Sequence, residues 1–199
     1  MNEHHEHEPK PGSREQASRT TPRIYVASLS DYNDGRLHGC WLDATSGVDE
    51  LQVGIDHMLA TSREPHVEEW AVHDYEGFGM VHLDEFESID TVARLAHGIE
   101  QHGPAFAAWA DHVGHTSVDA LGRFEDAFLG MWDSCKEYAE GLIDDFGLSR
   151  ELDEAIPELL RGYVTVDVEG FGRDMEIDGM ITVIQNPDGP GVWIFDGTE

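Results

Sequence analysis

Lysine and arginine are scarce in this sequence. Its 199 residues hold 12 Lys plus Arg against 41 Asp plus Glu, a formal net charge of −29. Solubility alone asks a small domain for a net charge of roughly 2–8 in magnitude. An imbalance this large excludes unaided binding to nucleic acid or to an anionic membrane, since both are polyanions. It favours a basic partner, cations or a salty environment. Cysteine is scarce as well. Cys40 and Cys135 are the two present, without CxxC spacing, each set among apolar residues. They read as free, buried thiols suited to a reducing cytosol. No apolar run approaches the ~20 residues of a membrane span. The N-terminus carries neither the basic nor the apolar region of a signal peptide, and a cytoplasmic location is expected. No internal repeat is visible.

Chemical motifs are missing too. There is no GxSxG, P-loop, GxGxxG or HExxH. Residues 31–35, DYNDG, begin like a calcium loop, but the glycine comes one place early and the twelfth position is Leu42 instead of Glu. His97 and His102, and His112 and His115, are spaced as pairs, but no Cys joins them. Such histidines are ordinarily surface or capping residues. Residues 77–79 and 170–172, both GFG, are too short to cradle phosphate, which an acidic chain would repel. No carboxylate pair stands out as a general acid and base. The expectation is a protein that is not an enzyme and needs no metal or cofactor.

What remains reads as mixed helix and strand, an α+β chain with a hydrophobic content of 40%. Residues 1–22 are polar, include a HHEHE run and read as a disordered tail. His4, His5 and His7 there could hold a metal weakly, but a solvated tail is the simpler account. Strands are expected at Arg23–Ser28, 37–43 and 68–75, with a turn at 31–35. A helix is expected over 48–61, with Leu51, Ile55 and Leu59 on one face and Ser46 as N-cap. Together these make a β-β-α-β unit ending near Asp84. Residues 89–113 have helical spacing, broken at Gly103-Pro104. Ser117 is placed to cap the next helix, Ser149 a short one, and Pro157 suits the first turn of another. Residues 163–168 are ambiguous, and a helix over 167–176 is preferred. Strands at 180–184 and 192–195 close the chain as a hairpin around 186–191.

The stretch 119–145 has the strongest pattern. Leu121, Phe124, Phe128, Trp132, Cys135, Tyr138, Leu142 and Phe146 recur every three or four residues, which predicts an amphipathic helix, or two joined near Gly130. Its other face carries Asp119, Glu125, Asp126, Asp133, Glu137, Glu140, Asp144 and Asp145, opposed only by Arg123 and Lys136. Like charges at that spacing repel. Acids also crowd 37–93, where Arg63 is the one Arg or Lys. No block is a low-complexity run, so the charge is expected on a folded scaffold. Residues 23–199 hold 37 acids and 9 bases, a net −28. At one charge per ~1.7 Å of duplex axis, that matches about 14 base pairs or ~48 Å of DNA, against ~40 Å for a compact globule of this size. Charge density permits DNA mimicry.

Particular residues go further. In 24–43, IYVASLSDYNDGRLHGCWLD, an aliphatic-Tyr strand leads to Tyr32, Asn33, Gly35, Leu37, Gly39, Trp41 and Asp43. This resembles the opening signature of the ArdA antirestriction family. Residues 68–78, EEWAVHDYEGF, resemble its second block, and 121–132, LGRFEDAFLGMW, its antirestriction motif. Residues 156–174 resemble its proline-opened C-terminal segment. The similarity runs in order over about 23–197. The His-rich tail and Phe128-Leu129-Gly130, where an Ala-Tyr-x-Gly-like run is common, depart from the pattern.

The resemblance implies an elongated, bent chain of three small domains: 23–84 (α+β), 85–122 (helical) and 123–199 (α+β, with a dimer interface). It implies a cofactor-free DNA mimic, carried by mobile elements, that fills the DNA-binding groove of a Type I restriction–modification enzyme, its methyltransferase core and specificity subunit. The phosphate stand-ins would be Asp49, Glu50, Asp56, Glu68, Glu69, Asp74, Glu76, Asp84, Glu85 and Glu87, then Glu125, Asp126, Asp133, Glu137, Glu140, Asp144 and Asp145. Leu121, Phe124, Phe128 and Trp132 would pack between domains or subunits. Two other readings compete: an acidic chaperone or binding module for basic DNA-binding proteins, and a salt-adapted protein whose acids merely hold water.

Overall fold

Strand β1, Arg23–Ser28, puts Ile24, Val26, Ala27 and Ser28 out of contact with solvent, as a central strand must. In the computed structural model, which describes residues 20–64 and 67–198, it lies between β2, Gly39–Asp43, and β3, Trp70–Glu76. All neighbours are antiparallel, with Ile24 opposite Leu42 on one side and Tyr75 on the other. The sheet belongs to the first of two compact units, formed by the described residues up to Phe78 together with Leu83–Glu100. The second holds Gly79–His82 and Gln101 onward. The expected domain limits near 84 and 122 are not where these units divide. The expected tail falls almost wholly outside the described residues.

Between the strands run α1, Leu29–Asn33, and α2, Val48–Ala60. Helix α2 buries Leu51, Ile55 and Met58, a 3–4 spacing that turns one stripe inward. Gly54 lets it close on β2, because a Cβ there would meet Leu42 Cδ2 at 2.6 Å. The expected N-cap Ser46 is not used: Gly47 holds that position, and the Ser46 hydroxyl donates to the Asp43 carbonyl at 2.7 Å. The region expected as a turn at 31–35 is partly α1, capped by Ser28, whose Oγ accepts from the Asp31 N–H at 3.2 Å. The buried Asp31 carboxylate then accepts from the Ser62 hydroxyl at 2.5 Å, the Ser28 hydroxyl at 2.8 Å and Arg36 Nε at 3.4 Å. One side chain thus ties the end of β1, the turn and the end of α2. The Ser62 and Ser28 hydroxyls, aided by Arg36, hold this carboxyl below the usual Asp range despite its burial. Helix α3, Ile89–His102, follows and is capped by Ser88, which accepts from the Thr91 N–H at 3.1 Å.

The second unit opens with α4, Pro104–Val113, set off from α3 at Gly103-Pro104 as expected. Ser117 caps α5, Val118–Gly122, by accepting from the Ala120 N–H. Beyond it the expected amphipathic helix over 119–145, or two joined near Gly130, forms only in part: the break falls at Gly130 but a strand fills it, and Phe146, expected on the apolar face, is exposed. The chain makes α6, Phe124–Ala127, then β4, Phe128–Trp132, and only then α7, Cys135–Asp145. The reason lies in the spacing itself. A step of four from Phe128 to Trp132 keeps side chains together on a helix and also on a strand, so it could not decide between them. Gly130 decides locally: its φ is +114°, a conformation open to glycine and closed to a helix. Ser134, extended at φ −162°, restarts the helix by accepting from the Glu137 N–H.

Strand β4 pairs with the chain's last strand. Helix α8, Leu148–Ala155, a 3-10 segment Glu158–Tyr163 and α9, Val168–Ile177, lead to β5, Ile181–Gln185, and β6, Val192–Asp196. The order is β4-β6-β5, all antiparallel, and β5–β6 is the expected hairpin. Central β6 is buried on both faces. Val192 and Ile194 join Tyr138, Ala139 and Met175 from α7 and α9. Phe195 meets Trp109 at 5.1 Å and Phe128 at 5.4 Å between ring centroids. Asp167 caps α9, in agreement with the helical reading of that segment, but Ser149 lies inside α8, whose N-cap is Gly147. Pro157 precedes a 3-10 segment in place of an α-helix. Both cysteines are free but half-buried, not buried as expected.

Phe124 sits 4% exposed among Phe106, Phe128 and Phe195. Phe124→Ala should cost about 3–5 kcal/mol of stability, as large-to-small changes in aromatic cores do, read by urea denaturation. A depressed carboxyl contributes stability above its unfolded pKa and loses it as pH falls through the folded value. Asp31→Asn should therefore melt at a lower temperature than the parent at neutral pH, and the gap should close below about pH 4. Thermal melts across that range check it.

Candidate acidic interaction surface

A carboxylate can meet an external cation only if the fold leaves it in solvent and its own cations leave it free. Helix α2 raises Asp49 and Glu50 from its first turn, where the helix dipole favours negative charge, and Asp56 from its exposed side. Asp56 Oδ1 accepts from the Gln52 amide at 2.7 Å. Around β3 stand Glu68, Glu69 and Asp74, all exposed, with Asp84 and Glu85 beyond it. The Val72 N–H donates to the Glu85 carbonyl at 2.8 Å, which fixes that outer segment against the strand.

In the second unit Glu125 and Asp126 project from the first turn of α6. Glu125 Oε1 lies 3.7 Å from His102 Nε2. On α7, Glu137, Glu140, Asp144 and Asp145 are exposed while Tyr138, Ala139 and Ile143 face inward. The same outer side was expected of a longer helix, and α7 preserves it. Glu137 also has a local role. Its Oε2 accepts from the Asp133 N–H at 2.7 Å, completing the cap that Ser134 begins.

Three expected stand-ins are less available. Glu76 is half-buried and bridged to Arg23, Oε2 to Nη2 at 2.7 Å. Glu87 is 8% exposed and its Oε1 accepts from the Ser88 N–H, so it leaves the surface set. Its neighbour Phe86, 70% exposed, takes the outward position. Glu140 is opposed by Lys136 at 3.4 Å. Among the described residues, none of the remaining expected acids is ion-paired with Lys or Arg. Acids outside the expected set reach the surface as well. Glu151, Asp153 and Glu154 on α8 and Glu169, Asp174 and Glu176 on α9 are equally exposed.

The expected packing residues divide. Leu121 and Phe124 are buried inside the second unit, so their apolar surface is spent there. Phe128 and Trp132 are half-buried; Trp132 packs on Tyr138 at 5.3 Å between centroids and donates to the Leu129 carbonyl at 3.2 Å.

Burial pushes the Cys40 and Cys135 thiols up, away from the reactive thiolate. No group of three or more His, Cys, Asp or Glu could hold a metal ion among the described residues. In that same set no helix is long and apolar enough to cross a membrane.

The family model of the antirestriction protein ArdA matches residues 24–187. No curated protein matches the chain. The family match runs from β1 to the loop before β6 and covers most of both units; on it the chain belongs to the ArdA family of antirestriction proteins, whose function is directed against Type I restriction enzymes.

Proposed function

We propose that the protein inhibits Type I restriction–modification enzymes as a DNA mimic, seated in the groove of the methyltransferase core and specificity subunit where DNA binds. One observation carries this reading: the acids lie on the outer sides of helices and strands that bury their other sides, and most are left without an Arg or Lys partner among the described residues. Carboxylates one helical turn apart lie about 6 Å apart along the axis, the same order as the ~3.4 Å of axis per phosphate on one DNA strand. Each would meet an Arg or Lys that otherwise holds a phosphate, and binding would release the counterions gathered on both surfaces. The summed field would speed encounter. The protein acts here by occupancy and not by catalysis. The reading extends to a cytoplasmic homodimer of three-domain chains joined through their C-terminal parts. The outward Leu159, Leu160 and Tyr163 support that placement.

The test is phage plating on Type I hosts with and without the protein, joined to displacement of DNA from the purified methyltransferase. Restored plating and displacement that weakens steeply with salt are expected. Unchanged restriction across several Type I families, or equal binding to unrelated basic proteins, would overturn the reading, the latter in favour of an acidic chaperone. Glu137→Gln keeps an acceptor for the Asp133 N–H and should change inhibition less than about threefold. Joint amidation of Asp49, Glu50, Asp56, Glu68 and Glu69 should weaken it by about 100-fold or more and flatten the salt dependence.

A further inference from the structure

One depression on the first unit does not fit a purely phosphate-like surface. It is a cleft of about 580 Å³ where the end of β1, the start of β3 and the segment before α3 converge. Leu29, Trp70 and Phe86 supply its apolar lining, and Glu68, Glu69 and Glu87 its carboxylates. Its walls are built by backbone bonds. The Leu29 N–H donates to the Glu69 carbonyl at 3.1 Å, Trp70 pairs with Ser28, and the Val72 N–H donates to the Glu85 carbonyl. Among the described residues lining it none is basic. Phe86 is 70% exposed on a carboxylate-rich surface, while Glu87 beside it is 8% exposed. An aromatic ring in water beside the exposed Glu68 and Glu69 carboxylates is poor design for solubility and good design for a flat cation.

The same unit binds such a group of its own. The Arg23 guanidinium carbon lies 4.6 Å from the Trp41 ring centroid while Nη2 bridges to Glu76 at 2.7 Å. A ring face and a carboxylate together are thus an arrangement this fold already uses to hold an arginine. The cleft repeats that chemistry with no arginine of the described chain in it. We infer that it receives one arginine side chain of the basic partner, the guanidinium against Phe86 and Trp70 and its N–H groups toward Glu68 and Glu69. Arginine fits better than lysine because its guanidinium is planar, stacks on rings and is weakly hydrated. This rests on the DNA-mimic reading only for the partner's identity. It adds a point of specificity to a surface otherwise bound through distributed charge.

The experiment separates the two ideas. The full-length protein is titrated with N-acetyl-arginine amide, with N-acetyl-lysine amide and with N-acetyl-citrulline amide, following ring signals of Phe86 and Trp70 by NMR. Saturable shifts are expected with the arginine probe, at least about fivefold weaker ones with lysine, and none with neutral citrulline. Phe86→Ala should abolish them, and Glu69→Gln should weaken them with the fold unchanged. Absence of saturation, or equal shifts from the lysine probe, overturns the inference even if the protein blocks restriction. Conversely, a saturable arginine site in a protein that never displaces DNA leaves the cleft standing and removes the mimic. On the enzyme itself, Phe86→Ala should weaken inhibition about tenfold without altering its salt slope, whereas loss of carboxylates lowers that slope. An unchanged affinity for Phe86→Ala would overturn the inference as well.

Discussion

Mutual repulsion among carboxylates is the constraint under which the whole chain folds. A net charge of −29 works against any compact state, and the few Arg and Lys cannot neutralise it pair by pair. The ion pairs that do form are largely exposed, a class that contributes little. Cohesion therefore has to come from apolar burial. Each unit concentrates it on a three-stranded sheet with one strand at its centre. β1 does this in the first unit. β6 does it in the second, with Val192 and Ile194 turned to one layer and Phe195 to an aromatic cluster on the other. Acids are left where repulsion is least costly, on outer helix faces in high dielectric and at helix N-termini, where the dipole offsets part of it.

The one acid taken fully inside the first sheet shows the same economy in reverse. Asp31 is buried only because two hydroxyls and a guanidinium satisfy its oxygens. It serves as a fastening between α1 and the end of α2. Its hydrogen bonds come from Ser28 and Ser62, residues 34 apart, so the arrangement was invisible to any local reading of the DYNDG run.

Where a signal is local, the sequence was legible. β1 spans the expected Arg23–Ser28, α2 keeps its Leu51–Ile55 stripe, Gly103-Pro104 separates α3 from α4, and the Asp167 cap starts α9. The failure over 119–145 is instructive because no residue there was misjudged as apolar or polar. Phe124, Leu121 and Tyr138 are buried as a helix would have had them. What was lost is β4, whose pairing depends on β6 more than 60 residues onward. The acidic surface was legible for a simple reason: charged side chains go to water unless something satisfies them. Glu87 takes the exception that rule allows: it is buried with its Oε1 accepting from the Ser88 N–H, while Phe86 beside it is exposed. The cleft beneath them joins residues 29, 68–70 and 86–88, and no sequence window contains it.

These observations divide the labour between two classes of side chain. The apolar residues most characteristic in the sequence, Leu121, Phe124, Phe128 and Trp132, are internal: two are buried and two half-buried in the second unit's packing. They hold a surface in place and contribute little of it. Rigid support matters more to a charge mimic than to an ordinary acidic protein. A flexible polyanion can satisfy any basic partner by adapting its spacing, whereas carboxylates fixed on helices and strands select partners whose cations already have a set spacing. The aromatic core is thus a source of discrimination as well as of stability. A partial loss of packing that left every acid in place would keep the attraction for basic proteins while eroding the choice among them.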